Sequence, residues 1–289
     1  MSRAGKGEPR RLAVLGSPIG HSKSPTLHAA AYAMLGLPWA YSSIEVGTDE
    51  LADFVRSRGP EWRGLSLTMP LKREVLPLLE EMDDLVRLVG TANTVLFDSG
   101  RIRGFNTDVY GLVAALRALG IVTPRLVHVV GGGATAASAI VAAHELGAGR
   151  GLVSTRSPQK AGPLIGLAER LGLDLTVGGL EFGRTDEQPD VVISTLPGAT
   201  KLEGEFPLEL RRDTPLLDVS YEPWPSPLAA SWLSVGGRVS SGLEMLAHQA
   251  LAQVRIFVGG DPTRELPGDA AVLEAMRASI GLTASATTA

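Results

Sequence analysis

The chain contains no cysteine. Disulfides, thiolate nucleophiles and cysteine-based zinc sites are thereby excluded, and the composition fits a reducing, cytoplasmic setting. Excess charge is lacking too: 27 Lys and Arg against 31 Asp and Glu leave a formal net charge of -4. The charges are interspersed, so neither nucleic acid nor an anionic membrane is an expected partner. The basic segment 1–11 lacks the apolar core of a signal peptide and is expected to be a mobile tail, as is 283–289. Five scattered histidines form no ligand cluster, so no metal is expected. Repeats and low-complexity linkers are absent as well.

One stretch lacks charge altogether. Between Arg125 and Glu145 there is no Asp, Glu, Lys or Arg, a run long enough to resemble a membrane span. His128 and the consecutive Gly131, Gly132 and Gly133 interrupt it where a short strand would end. Strand, glycine loop and helix is the better reading.

The 289 residues suffice for one large domain or two ordinary ones. Strand-like and helix-like segments alternate, which predicts an α/β fold with a parallel or mostly parallel sheet. Strands are expected near 11–16, 39–46, 63–68 and 94–98, with a tight turn at 98–101 into a return strand. Helices are expected near 25–35, 48–58, 72–89 and 108–119. A second series of strands follows near 126–130, 151–155, 173–177, 190–195, 215–219 and 237–240, as suits a dinucleotide-binding domain. Helices near 242–258 and 268–280 end the chain, the first with Leu243, Leu246, Ala250, Val254 and Phe257 on one face.

Polar residues gather where strands end. The loop after the first strand carries Ser22 and Ser24 around Lys23, and Ser24 followed by Pro25 reads as an N-cap with proline at the first helical position. Free backbone N–H groups and hydroxyls there suit a small anion such as a carboxylate. Thr68 ends a strand and Lys72 begins a helix, where its charge opposes the helix dipole. Asn93 heads the strand that follows, and Asp108 stands at the mouth of a helix. Each is ordinary alone, as a turn residue, surface lysine or cap. Together they place one Lys, one Asp, amides and hydroxyls where open α/β folds bind ligands.

The loop Gly131-Gly132-Gly133-Ala134-Thr135 lies between an apolar strand and a helix, with small Ala136 in place of the usual third glycine. Such glycines admit a pyrophosphate to a helix N-terminus. The next strand ends Ser154-Thr155-Arg156-Ser157, with Lys160 beyond and no acid to accept from a ribose hydroxyl. A guanidinium suits a 2′-phosphate, so NADP is the expected cofactor.

In order along the chain, the segments 16–25, 66–72, 92–94, 106–108, the glycine loop and Gly-Leu-Glu-Met-Leu-Ala-His-Gln-Ala (242–250) resemble those of the shikimate dehydrogenases, over nearly the whole length. The resemblance implies that Ser22 and Ser24 bind the substrate carboxylate, that Thr68, Asn93, Tyr221 and Gln249 hold the ring, and that Lys72 and Asp108 are the catalytic pair. It places NADP against residues 131–135, Thr155, Arg156, Ser157, Lys160, Val219 and Gly242. It also implies a substrate-binding domain over 1–108, rejoined by 242–289, and a dinucleotide-binding domain over 109–241, with a homodimer allowed. The implied reaction is reversible reduction of 3-dehydroshikimate by NADPH. Three rivals follow. A quinate or broader quinate/shikimate dehydrogenase would more often favour NAD, against which Arg156 speaks. A silent NADP-binding module would be expected to lose Lys72 or Asp108. A methylenetetrahydrofolate-type dehydrogenase would not need the Ser22 and Ser24 pair.

Overall fold

The computed structural model describes residues 8–182 and 187–282, so the tail expectations for 1–7 and 283–289 fall outside the described residues. The chain divides into two compact units, Met1–Thr107 with Leu246–Ala289, and Asp108–Met245.

The first unit begins with β1 (Arg11–Gly16), α1 (Ser24–Met34), β2 (Ala40–Glu45), α2 (Leu51–Arg56) and β3 (Trp62–Leu67). It continues through α3 (Leu71–Glu74), β4 (Glu81–Met82), α4 (Asp84–Val89), β5 (Thr94–Asp98) and β6 (Arg101–Phe105). Its sheet runs β2-β1-β3-β5-β6-β4. β1 pairs in parallel with β2 and β3, whereas β5 is antiparallel to both β3 and β6. The β5–β6 reversal is a two-residue hairpin, with Ser99 at φ 52 and Gly100 at φ 81, the doubly positive turn that matches strand twist. One face packs Ala13, Leu15, Leu65 and Leu67 against Leu51 and Val55 of α2 and against Leu71 and Val75. β1 is buried from Leu12 to Val14 and beyond, so both faces of the sheet are covered there.

Three local expectations need correction. The single helix over 72–89 is broken into α3, a 3-10 turn at Leu76–Leu78, the strand β4 and α4. Pro77 cannot donate to a continuing helix, and the chain instead pairs Glu81 and Met82 with Arg103 and Gly104 before Asp83 caps α4 through Val86 N–H at 2.6 Å. At α1 the N-cap is Lys23; Ser24 is the first helical residue, and its N–H donates to Ser22 Oγ at 3.3 Å. The capping hydroxyl is thus two residues earlier than its sequence position suggests. α2 is also shorter than 48–58, because Thr48–Glu50 form a turn that Glu50 closes on Gly47 N–H at 3.0 Å.

The second unit contains α5 (Asp108–Ala118), β7 (Leu126–Val130), α6 (Ala134–Glu145), β8 (Arg150–Ser154), α7 (Gly162–Leu171) and β9 (Asp174–Gly178). Then come β10 (Val191–Ser194), α8 (Leu208–Asp213), β11 (Leu216–Asp218), α9 (Pro227–Leu233) and β12 (Val239–Ser241). All strands are parallel, ordered β12-β11-β10-β7-β8-β9. Counted from β7 this is the strand order of a dinucleotide-binding sheet, with its switch point between β7 and β10. The uncharged run 126–144 is thus β7, its glycine loop and most of α6. Among the described residues no helix is long and apolar enough to cross a membrane.

α10 (Leu243–Gly259) carries the chain back to the first unit, and α11 (Asp269–Ser279) packs there on α1. Burial on α10 extends beyond one face, taking in Met245, Ala247, Leu251, Ala252, Gln253 and Ile256 besides Leu246, Ala250, Val254 and Phe257 of the predicted stripe, whereas Leu243 is half-buried. Gly64 on β3 makes room for it: a Cβ there would collide with the Phe257 ring.

Candidate active site

In the first unit the polar residues assemble at one end of the sheet. β1 and β3 run parallel, so the loop carrying Ser22 and Ser24 and the residue Thr68 leave the same edge. Ser17 N–H donates to Met69 O at 3.1 Å and Thr68 N–H to Leu15 O at 2.9 Å, binding the two exits together. Gly16 permits this closeness, since a Cβ would run into Thr68 Cγ2. β5 is antiparallel to β3, which brings its head to that same edge; Leu67 N–H donates to Asn93 O at 2.8 Å. Lys72, half-buried on α3, is anchored alongside by Ala92 N–H, which donates to its carbonyl at 2.9 Å.

Asn93 is 1% exposed and held by neighbours at both of its amide atoms. Its Oδ1 accepts from Thr107 N–H at 2.9 Å and Thr94 Oγ1 at 2.9 Å, while Nδ2 donates to Thr107 Oγ1 at 2.9 Å and Gln249 Oε1 at 3.4 Å. Gln249 on α10 therefore reaches the amide from far along the chain. Asn106 is equally fixed, donating to Thr91 O at 3.0 Å and Thr91 Oγ1 at 3.1 Å. The structure thus gathers the Ser22–Ser24 loop, Thr68, Lys72, Asn93 and Gln249. Asp108 and Tyr221 belong to the second unit, Asp108 fully buried at the start of α5 and Tyr221 on the loop after β11.

Sequence reading missed a tier of side chains beneath this cluster: His28, Tyr41, Ser66 and Gln253. Gln253 is 3% exposed and hydrogen-bonds Ser66, His28, Thr94 and the Asn93 carbonyl. Burial pushes the His28 imidazole down to about 3, so it is neutral. A signal existed, because Gln253 follows Gln249 by four residues on one helix and interrupts an apolar run.

In the second unit the glycine loop sits where β7 ends, at the switch point. Gly131 has φ +120, and a Cβ there would collide with Thr195 Oγ1; a Cβ on Gly132 would lie 2.7 Å from Thr155 Oγ1. Gly132 and Gly133 are exposed. Gly133 is the N-cap of α6, which has neither a side-chain cap nor an acid in its first turn, so its leading N–H groups suit an anion. Thr155 is buried beneath the loop, while Arg156 and Lys160 are exposed and Ser157 half-exposed at the end of β8. Val219 and Gly242 touch through backbone: a Cβ on Gly242 would collide with the Val219 carbonyl. These residues fit a phosphorylated dinucleotide. Among the described residues no group of three or more His, Asp or Glu is placed to hold a metal ion.

Residues 14–95 match the family described as the shikimate dehydrogenase substrate binding domain. A shikimate dehydrogenase (NADP(+)) of Geobacter sp. strain M21 is 37% identical over 270 residues, 89% of this chain and 92% of that protein. The crystal structure of Mycobacterium tuberculosis shikimate dehydrogenase is similar with a TM-score of 0.77 and 39% identity, over 93% of this chain and 100% of that one. Shikimate 5-dehydrogenase from Thermus thermophilus, solved in complex with NADP(H) and shikimate, gives a TM-score of 0.76 and 31% identity over 93% of this chain and 99% of that one. Likeness on this scale covers both units, and the chain belongs to the shikimate dehydrogenase family.

Proposed function

We propose that the protein catalyses the reversible reduction of 3-dehydroshikimate to shikimate with NADPH, its first unit binding the substrate and its second the cofactor. The observation that carries this reading is the polar cluster at one edge of the first sheet, where a hydroxyl-bearing loop, a lysine and two amides converge. A polyhydroxylated ring with one carboxylate matches that inventory. Ser22 and Ser24 donate to the carboxylate. Thr68, Asn93, Gln249 and Tyr221 meet the ring hydroxyls.

When bound, NADPH supplies the hydride that reaches the carbonyl carbon. Lys72, as an ammonium, gives a proton to the oxygen and stabilises the charge developing there. In the oxidative direction the same proton returns to the Lys72–Asp108 pair, which acts as one proton-handling unit. Gly131, Gly132, Gly133, Ala134 and Thr135 accommodate the pyrophosphate against α6. Arg156 holds the 2′-phosphate, with Ser157 and Lys160 beside it and Thr155 supporting the loop from below. Val219 and Gly242 complete the cofactor side. The absence of cysteine agrees with a cytoplasmic location, and a homodimer is compatible with this reading.

Steady-state assays of shikimate and quinate, each with NADP+ and NAD+, test the assignment. Shikimate with NADP+ should give the highest kcat/KM. A higher value for quinate with NAD+ would replace this reading with the quinate alternative.

A further inference from the structure

β11 ends on a carboxylate that the fold has buried. Asp218 is 1% exposed, and each of its oxygens accepts a hydrogen bond. Oδ1 accepts from Ser220 N–H at 3.1 Å, and Oδ2 from Ser226 Oγ at 2.5 Å. A carboxylate only accepts, so the single proton of Ser226 points to Asp218. The serine oxygen in turn accepts from Ala229 N–H at 3.0 Å, as the N-cap of α9. A buried charge is costly unless hydrogen-bonded, and an aspartate here therefore calls for a reason. Two donors converge on this point, a backbone N–H and a hydroxyl. A carboxylate receives both, whereas an asparagine would offer one oxygen for the two.

Between these two anchors runs the loop that carries Val219 and Tyr221. Strands hold its first residues from either side: Val219 N–H donates to Ser194 O at 3.0 Å, and Gly242 N–H to Ser220 O at 3.1 Å. The loop also packs closely on the exit of β10, where a Cβ on Gly198 would lie 2.9 Å from Glu222 O. Asp218 adds what these contacts leave out. By taking the Ser220 N–H it fixes the peptide plane between Val219 and Ser220, immediately before Tyr221. Through Ser226 it ties that plane to the start of α9, where the loop ends.

We infer that Asp218 is a positioning residue for the loop that faces the ligands: its carboxylate clamps the Ser220 amide to the Ser226 cap and so sets where Val219 and Tyr221 stand. The inference rests on the proposed function, which gives Val219 to the cofactor and Tyr221 to the substrate ring.

Ser226→Ala tests it, because the hydroxyl goes while Asp218 keeps its bond to Ser220. KM for shikimate and KM for NADP+ should rise together, each about three- to tenfold. Substitution of Ser24 or Arg156 should move only one of the two. Ser226→Thr, which retains a capping hydroxyl, should bring both to within about twofold of wild type. Asp218→Asn, with its oxygen toward Ser220, breaks the same link to Ser226. Added to Ser226→Ala it should raise either KM by less than about twofold more. In a Tyr221→Phe background, Ser226→Ala should still raise KM for NADP+ but change KM for shikimate by less than about twofold. A merely structural clamp would lower Tm and leave both KM values alone, and that result would overturn the inference. If Ser226→Ala does not fold, Ser226→Gly carries the same expectations, since glycine caps nearly as well without a hydroxyl. Wild-type protein inactive on shikimate would sink the functional reading by itself. The clamp is then still read from hydrogen exchange, where the amides of 219–222 should exchange about tenfold faster in Ser226→Ala with those of β10 unchanged. Equal rates across 219–222 overturn the proposal.

Discussion

The two units differ in the material they offer a ligand. In the first, the candidate surface is backed by side chains that are buried and tied to one another: Asn93, Thr94, Asn106 and Thr107 are at most 1% exposed, and each has named partners. In the second, the candidate surface is backbone laid bare, with Gly132 and Gly133 exposed and Arg156 reaching into solvent. A ring with several hydroxyls has to be told from its isomers, which fixed donors and acceptors accomplish. A pyrophosphate asks mainly for N–H groups and room. Removing a side chain in the first half leaves a buried partner unsatisfied, whereas in the second half adding one does the damage.

Lys72 lies in the first unit and Asp108 in the second, and the proposed reaction draws on both. Lys72→Ala and Asp108→Ala should each lower kcat by roughly 100-fold or more, as lost acid–base catalysis does. The double variant should fall little below the worse single one, since groups acting as a unit are not additive. Near-normal turnover in Lys72→Ala would remove the pair from the mechanism.

Arg156 sharpens the comparison from the cofactor side. Exposed on its loop, it has little folding role to lose, so Arg156→Ala should leave Tm unchanged. Loss of a bidentate contact to the 2′-phosphate should cost about 2–3 kcal/mol, roughly a hundredfold in kcat/KM for NADP+ and far less for NAD+. An unchanged NADP-to-NAD ratio would take the 2′-phosphate away from this guanidinium. Ser22→Ala and Ser24→Ala probe the other half. Each should raise KM for shikimate roughly tenfold or more and leave KM for NADP+ unaltered. If the change fell on NADP+ instead, the carboxylate would have to sit elsewhere.

Legibility in the sequence follows the same division. The second sheet could be read strand by strand, because parallel strands covered on both faces are continuous apolar runs such as Leu126–Val130 and Val191–Ser194. Its glycine loop and Arg156 are local in sequence, so they were legible as well. In the first unit the strand ends and their polar residues were visible, whereas the segment 72–89 was not. Its apolar residues satisfy a helical period, and only the pairing of Glu81 and Met82 with β6 decides otherwise. Ser24 was misplaced as a cap because Ser-Pro signals a helix start only to within a residue. The tier of His28, Tyr41, Ser66 and Gln253 joins residues up to 225 apart in sequence, and no local pattern predicts such meetings.

The smallest effect concerns one buried histidine in each unit. Burial holds His28 down to about 3 against 6.5, with the Gln253 hydrogen bond opposing slightly, and holds His128 down to about 4. The unfolded chain binds these protons below pH 6.5, and the folded chain refuses them until far lower. Unfolding therefore takes up protons, and stability falls as pH drops from 6.5 toward 4 for His128 and toward 3 for His28. The slope is about 1.4 kcal/mol per pH unit for each histidine, or about 1 kcal/mol each at pH 5.5. His248 on α10 is lowered in the same direction, by burial first and then by Arg277 and Arg255, and steepens the first unit's share. Urea unfolding between pH 7 and 5.5, above the ordinary carboxylate range, reads the effect, with Asp83 and Glu145, which burial raises, acting against it. His128→Gln retains an amide that can reach Ser154 and should flatten the acid slope by one proton's worth, as should His28→Gln in the other unit. If the units unfold together, either substitution flattens a single shared transition; if they unfold apart, each flattens only its own. A wild-type midpoint that does not move across this range would mean that both imidazoles titrate as they do in the unfolded chain.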